Sequence, residues 1–177
     1  DAVEACSADG EVRVILLRGA SGVFSSGLDL KEFNADPRPD WLPAFQATWR
    51  GVHERIYATD KAVVCALEGY AINAGSALTL SADFIVAGEG ASFCTPGVHI
   101  GLFCSTPMVA LSRNVAPKHA MEMLLTGRWL DAAEAHRWGF VNRIVPAASL
   151  MDEARKTAAL HVNGIMGGLR PQFAAIP

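Results

Sequence analysis

Two glycine-bearing turns carry the residue types whose spacing could do chemistry. Gly22-Val23-Phe24-Ser25-Ser26-Gly27-Leu28-Asp29-Leu30-Lys31-Glu32 follows one apolar run, and Glu68-Gly69-Tyr70-Ala71-Ile72-Asn73-Ala74-Gly75-Ser76-Ala77-Leu78 follows another. In each, a strand-like run stops, a glycine permits a tight turn and a helical pattern begins. A helix start leaves backbone N–H groups without intrahelical acceptors, so two such starts aimed at one point can hold a developing oxyanion. Two ordinary strand-to-helix turns would have the same spacing.

Side chains able to move protons are sparser. His53, His99, His119, His136 and His161 are far apart and form no HExxH. Gly88-Glu89-Gly90 is followed by Ala91-Ser92-Phe93, so a dinucleotide fingerprint fails at its third glycine, and neither GxxxxGK nor GxSxG occurs. Metal, kinase-like and serine-hydrolase chemistries lack their residues. Glu68 reads as a solvated strand-end carboxylate or a base near the turn. Ser76, Thr95, Ser105 and Thr106 could order a water or a substrate hydroxyl, but without a base they are not catalysts. Cys6, Cys65, Cys94 and Cys104 lack CxxC spacing and sit among apolar or small residues, which predicts reduced core thiols and a reducing compartment.

The elements that must position these turns are strands alternating with helices. Val12–Gly19, Ala62–Leu67 and Phe84–Ala87 read as buried strands, with shorter ones at Ser92–Cys94 and Val141–Val145. Trp41 to Thr59 places Leu42, Phe45, Trp49, Val52 and Ile56 at helical intervals; Trp41, Phe45 and Trp49 read as the buried face of one helix rather than an acyl clamp. Pro117 opens a helix that Gly127 closes, and Asp131 with Glu134 forms a capping-box-like pair before Gly139. Asp83 is expected to satisfy backbone donors at a turn, and Asp29 to brace the first glycine turn. Asp36–Asp40 reads as a Pro-rich surface loop. Strands separated by helices, with near-continuous apolar composition, indicate an α/β fold with a covered sheet.

At 177 residues, 51 % hydrophobic and 19 % charged, the chain is one domain with enough apolar side chains for a core. A net charge of −3 with scattered basic residues offers nucleic acid no phosphate-neutralising face. The uncharged stretch 69–82 is too short and too polar to insert into a membrane. Residues 1–163 form the expected core, with incomplete N-terminal strands, and 164–177 an irregular or divergent tail.

Phe24 to Glu32, Glu68-Gly69-Tyr70-Ala71 with Ala74-Gly75, Ala82-Asp83, Phe93 to Gly101, Ala120 to Gly127 and Ala135 to Gly139 together resemble the enoyl-CoA hydratase/isomerase (crotonase) family, in order, over most of the chain. Within it, the stretch 95–107 is most similar to the enoyl-CoA hydratase domain-containing protein 3 subgroup. The resemblance implies a crotonase-like spiral of ββα units, here truncated at both ends, that binds acyl-CoA thioesters. Coenzyme A would enter as part of the substrate, with no cofactor and no metal. The resemblance places the oxyanion-hole amides at Leu28 and Ala74, and substrate contacts at Phe24, Ser26, Gly27, Asp29, Lys31, Gly75, Ala77, Gly97 and Ser105. It also implies a trimer, or a dimer of trimers, where closing helices are present.

The departure from the family lies in the acid–base groups. Family hydratases use two glutamates, and the matching positions here are Ala77 and Gly97. Neither can exchange a proton, and such groups are worth roughly 10²–10⁴-fold each. Three readings follow: an acyl-CoA binder with altered or lost hydratase chemistry, an active enzyme using a replacement base, and a non-catalytic acyl-CoA-binding or oligomer partner. His99 is the candidate base, because in an extended segment it would share a side with Gly97. Cytosol and mitochondrial matrix fit equally.

Overall fold

In this computed structural model, residues 2–29, 31 and 42–164 are described. The expected loop at 36–40 and the tail from 165 onward lie outside them. Four parallel strands form the main sheet in the order β1 (Val14–Arg18), β2 (Ala62–Leu67), β4 (Phe84–Gly88), β7 (Arg143–Val145). A smaller sheet pairs β3 (Tyr70–Ile72) parallel to β5 (Ser92–Cys94), and β5 antiparallel to β6 (Leu130–Asp131). The helices are α1 (Ala2–Ala8), α2 (Leu42–Ala58), α3 (Ala74–Leu80), α4 (Ser105–Asn114), α5 (Pro117–Thr126), α6 (Ala132–Arg137) and α7 (Leu150–Gly164).

The winding is a repeated ββα step. β2 lies in the main sheet, β3 in the small one, and α3 follows; β4 and β5 repeat the division before α4. The first turn copies it in outline, since β1 is in the main sheet and Ser25 makes a parallel bridge to Ala71 of β3. Each turn thus stacks its chain reversal on the next, and this brings the two glycine turns together.

Strand alternation divides the core. Val64 and Ala66 of β2 pack with Val86, Val145, Leu150 and Ala154, so α7 covers that face of the sheet. Cys65 and Leu67 point the other way, into a larger cluster with Ile85, Phe93, Leu111, Leu124 and Phe140. Ile56 of α2 closes the β1 side against Ile15 and Val63. Both faces are covered, as the near-continuous apolar runs require.

Local signals behave as the sequence indicates. Asp131 caps α6 by accepting from the Glu134 N–H at 2.7 Å, and Gly127 and Gly139 take left-handed φ of 61° and 79° after their helices. Asp83 accepts from the Val63 N–H at 2.7 Å, and Asp29 from the Lys31 N–H at 2.9 Å. The helix expected from 41 to 59 runs Leu42–Ala58, with Trp41 outside the described residues. The sequence pattern gives no separate element for β3, β6 or α4. In α4, Pro107 sits in the first turn, where it is tolerated but hides the helical pattern.

Candidate functional site

The two glycine turns interlock through the backbone. Ser25 N–H donates to the Tyr70 carbonyl at 3.1 Å, and Ile72 N–H returns a bond to the Ser25 carbonyl at 3.0 Å. Gly27, at φ 86°, lies so close to the second turn that a Cβ would stand 2.8 Å from the Ile72 carbonyl oxygen. Gly75 makes the reciprocal approach: its Cβ would stand 2.7 Å from that of Ser25. Side chains are excluded at both positions, one by conformation and crowding, the other by crowding.

This contact sets Leu28 and Ala74 next to the crossing point. Ala74 is the first residue of α3, whose first turn contains no acidic residue, so the partial positive charge of that end is not neutralised locally. Among the described residues neither the Leu28 nor the Ala74 amide donates to a protein acceptor. The turn before Ala74 is held in an uncommon conformation. Asn73 has φ 48° and ψ −107°, its N–H donates to the Cys94 carbonyl at 2.9 Å, and its carbonyl accepts from Ala77 N–H at 3.0 Å. Ser76 locks the same turn by donating to the Ala71 carbonyl at 2.8 Å, so it is a buried internal brace and not a water-ordering group.

Around this crossing point Phe24 packs on the main core cluster, Ser26, Asp29 and Lys31 are exposed, and Leu28 is half-buried. Ala77 is 1 % exposed, and Gly97 is buried. Gly97 has no room for a side chain: a Cβ there would stand 2.5 Å from Cys104 Sγ and 2.8 Å from the Leu102 carbonyl oxygen. The Cys104 thiol donates to Asn73 Oδ1 at 3.0 Å, which ties the 97–104 loop to the second glycine turn. Burial pushes the Cys104 thiol up, partly offset by the Gly97 N–H bonded to it, and burial with the nearby Cys104 pushes Cys94 up to about 11. Both stay protonated at neutral pH and are poor nucleophiles.

The geometric premise for His99 fails. Pro96–Ile100 is a 3-10 helix, so His99 and Gly97 do not share a strand face. The His99 side chain is exposed, and its Nε2 lies 2.9 Å from the Thr126 carbonyl at the end of α5. A carbonyl only accepts, so Nε2 carries the proton and serves as a cap on that helix. Pro at the start of the segment and the left-handed Gly101 at its end, φ 78°, are what curl it.

Other candidates are placed elsewhere. Glu68 is exposed and lines a shallow cleft with Arg18, Leu150 and Met151, on the α7 side of the sheet. Thr95 is buried and donates to the Met123 carbonyl at 3.0 Å, while Ser105 and Thr106 are exposed at the start of α4. Neither Asn73 nor Cys104 is a site candidate from the sequence, where Cys104 reads only as a reduced core thiol. An Asn before a helix start is a recognisable cap signal, but nothing near Cys104 announces its contact with Gly97. No three His, Cys, Asp or Glu side chains cluster as a metal site among the described residues, and none of the described helices is long and apolar enough to cross a membrane.

Residues 1–169 match the family model described as enoyl-CoA hydratase/isomerase. The chain is 42 % identical over 154 residues to human enoyl-CoA hydratase domain-containing protein 3, mitochondrial, covering 85 % of this chain and 51 % of the relative. It is 41 % identical over 157 residues to the carnitinyl-CoA dehydratase of Citrobacter koseri, covering 88 % and 59 %. The crystal structure of the human enoyl Coenzyme A hydratase domain-containing protein 3 superposes with a TM-score of 0.84 at 35 % identity, covering 97 % of this chain and 69 % of that one. The chain spans about half the length of the curated relatives it matches.

Proposed function

The chain belongs to the enoyl-CoA hydratase/isomerase family, and from that premise we propose that it binds acyl-CoA thioesters at the crossing of its two glycine turns, without the two-glutamate hydration chemistry. The carrying observation is the interlock of Gly27 and Gly75, which leaves the neighbouring Leu28 and Ala74 amides with no protein acceptor among the described residues. These amides polarise the thioester carbonyl and hold the negative charge that develops on its oxygen. One donor of this kind is worth on the order of 3–4 kcal/mol in a transition state. Phe24, Ser26, Gly27, Asp29 and Lys31 border the entrance, with Lys31 toward the nucleotide end of coenzyme A, and Gly75, Ala77, Gly97 and Ser105 surround the acyl end. Coenzyme A enters as substrate.

Proton transfer is where the site departs from the hydratases. Ala77 has only a methyl group, and Gly97 is shut against Cys104. The chemistry that remains is oxyanion or enolate stabilisation. The names of two relatives agree in substrate class, since both refer to coenzyme A thioesters. A reducing compartment, cytosol or mitochondrial matrix, suits the four unpaired thiols, and the human relative's name specifies mitochondria.

The test is incubation of the folded chain with a short 2-enoyl-CoA, following loss of the conjugated thioester, product mass and thermal stability. The expected result is a raised melting temperature with no hydration at an enzyme-like rate. Rapid formation of a hydrated product would overturn the chemical half of the proposal. Absence of stabilisation by any acyl-CoA would overturn the binding half.

A further inference from the structure

Two helices at the site begin on residues that bond each other instead of capping themselves. Asn73 stands directly before Ala74 at the start of α3, and Cys104 directly before Ser105 at the start of α4. An asparagine so placed ordinarily turns its side-chain oxygen onto the second or third amide of its own helix, here Gly75 or Ser76. Neither helix start has a side-chain cap; the Cys104 thiol donates to Asn73 Oδ1 at 3.0 Å, across 31 positions of sequence.

The thiol is itself held in place. Gly97 N–H bonds to Cys104 Sγ, so the sulfur already accepts and its hydrogen is left to donate. Of the two acceptors in reach, Asn73 Oδ1 at 3.0 Å is nearer than the Thr95 carbonyl at 3.5 Å. The backbone on either side is anchored: the Cys104 carbonyl accepts from Met108 N–H at 3.0 Å, and Leu102 N–H closes the loop on the Gly97 carbonyl at 2.9 Å. The Cys104 side chain belongs to the core cluster that holds Ala77 and Leu111, largely shielded from water.

Asn73 does not take its pose from backbone preference. A φ of 48° with ψ of −107° suits glycine rather than a residue with a Cβ, and a capping residue is ordinarily extended. The Cys104 bond, together with the Asn73 N–H donated to the Cys94 carbonyl at 2.9 Å, offsets that preference. Asn73 Cβ lies 3.5 Å from where a Cβ on Gly27 would stand, so the carboxamide leaves the backbone at the crossing of the glycine turns. Without the thiol, the ordinary cap becomes available to it. Oδ1 on the Gly75 or Ser76 amide would lie beside Ala74, and there one acceptor oxygen repels another.

We propose that Cys104 is a positioning residue of the thioester site: its thiol holds the Asn73 carboxamide oxygen away from the first turn of α3, which keeps the Ala74 amide open to the thioester carbonyl. The inference rests on the acyl-thioester reading above, and it gives the 97–104 loop a part in that site which needs no carboxylate at Gly97.

The test uses crotonyl-CoA, a short 2-enoyl-CoA, isotopically labelled at the thioester carbon. Its carbonyl stretch, read by infrared difference spectroscopy, falls in frequency as the oxygen is hydrogen-bonded, and calorimetry gives the affinity. Each variant is first shown to be folded by a cooperative thermal transition. In Cys104→Ala the downshift of the bound carbonyl should shrink and affinity should fall on the order of tenfold, comparable to the loss of one hydrogen bond. Cys104→Ser, whose hydroxyl still donates to Oδ1, should keep the native downshift. Adding Asn73→Gly to Cys104→Ala should restore it, because glycine takes the positive φ freely and brings no competing oxygen. A merely structural loss at Cys104 would not be repaired by a change at Asn73. Should Cys104→Ala fail to fold, Cys104→Val, which fills the space without a donor, takes its place in both arms. A native downshift in the variant without the thiol, or a folded double variant that does not regain it, would overturn the inference and leave thioester binding standing. So would a native chain that binds crotonyl-CoA with no downshift. A folded native chain that does not bind it would refute the thioester reading and this inference with it.

Discussion

The glycine-turn crossing and the Pro96–Cys104 segment face the same proposed ligand but are built on different principles. At the crossing, the proposed functional groups are backbone amides, and what places them is the absence of side chains at Gly27 and Gly75. Along 96–104, the family resemblance implies a catalytic side chain, and this chain has none at the matching position: Gly97 is closed by Cys104 Sγ, and His99 caps α5. The comparison teaches that a backbone device survives substitution of almost any side chain around it, whereas a side-chain device vanishes with one replacement. Descent and chemistry can therefore separate within one site.

The largest expected effect would come from putting a side chain into the crossing. Gly27→Val adds bulk 2.8 Å from the Ile72 carbonyl at a positive φ, a conformation that costs roughly 1–2 kcal/mol before overpacking adds about 1–3. Chemical denaturation should show that loss, and acyl-CoA should no longer raise the melting temperature. Unchanged ligand stabilisation would break the comparison, because the crossing would then not be what holds the amides.

Restoring the acid is the next test. Gly97→Glu alone collides with Cys104 Sγ and should lower stability by about 1–3 kcal/mol. Gly97→Glu combined with Cys104→Gly should recover part of it, giving a favourable coupling in a double-mutant cycle of roughly 0.5–3 kcal/mol. Additive losses would show that Cys104 is not the obstacle. If the paired variant also gains hydration of a 2-enoyl-CoA, the comparison is sharpened: the crossing would be competent and only the proton donor lacking.

A smaller effect is expected from His99→Ala. Removing its bond to the Thr126 carbonyl should cost about 0.5–1.5 kcal/mol of stability and leave thioester affinity as it was. A fall in any measured turnover without loss of stability would return His99 to the chemistry.

The smallest effect is a pH dependence from His53. Its pKa is lower in the folded chain than the ordinary 6.5, because burial disfavours the imidazolium. The unfolded chain then binds the proton more readily, so stability is fully present above about 6.5 and is lost as pH falls from there through the lower native value. Melting temperatures measured from pH 8 to 5 should fall less in His53→Leu than in the native chain over that window.

Much of the fold was legible locally. β-Branched runs give β1, β2 and β4, Asp131 with Glu134 marks α6, and Pro117 with Gly127 brackets α5. β3 and β6, of three and two residues, carry no periodicity of their own and exist because the stacked turns supply their partners. α4 is hidden by Pro107, and the 95–101 segment, whose extension would have put His99 on the side of Gly97, curls instead. In the site, the two glycine turns were visible as spacing. Cys104 against Gly97 and against Asn73 are contacts made only by folding, and no local pattern encodes them.

Residue identity alone sets which groups are present: two glycine turns after strands, and no carboxylate at positions 77 and 97. Those facts follow from residue identity and short-range conformational preference, which the chain carries wherever it is. Long-range packing alone sets Gly27 and Gly75 against each other's turns, engages His99 at a helix end and closes Gly97 with the Cys104 thiol. These depend on the stacking of ββα turns, which brings distant residues within a few ångströms and excludes water from between them.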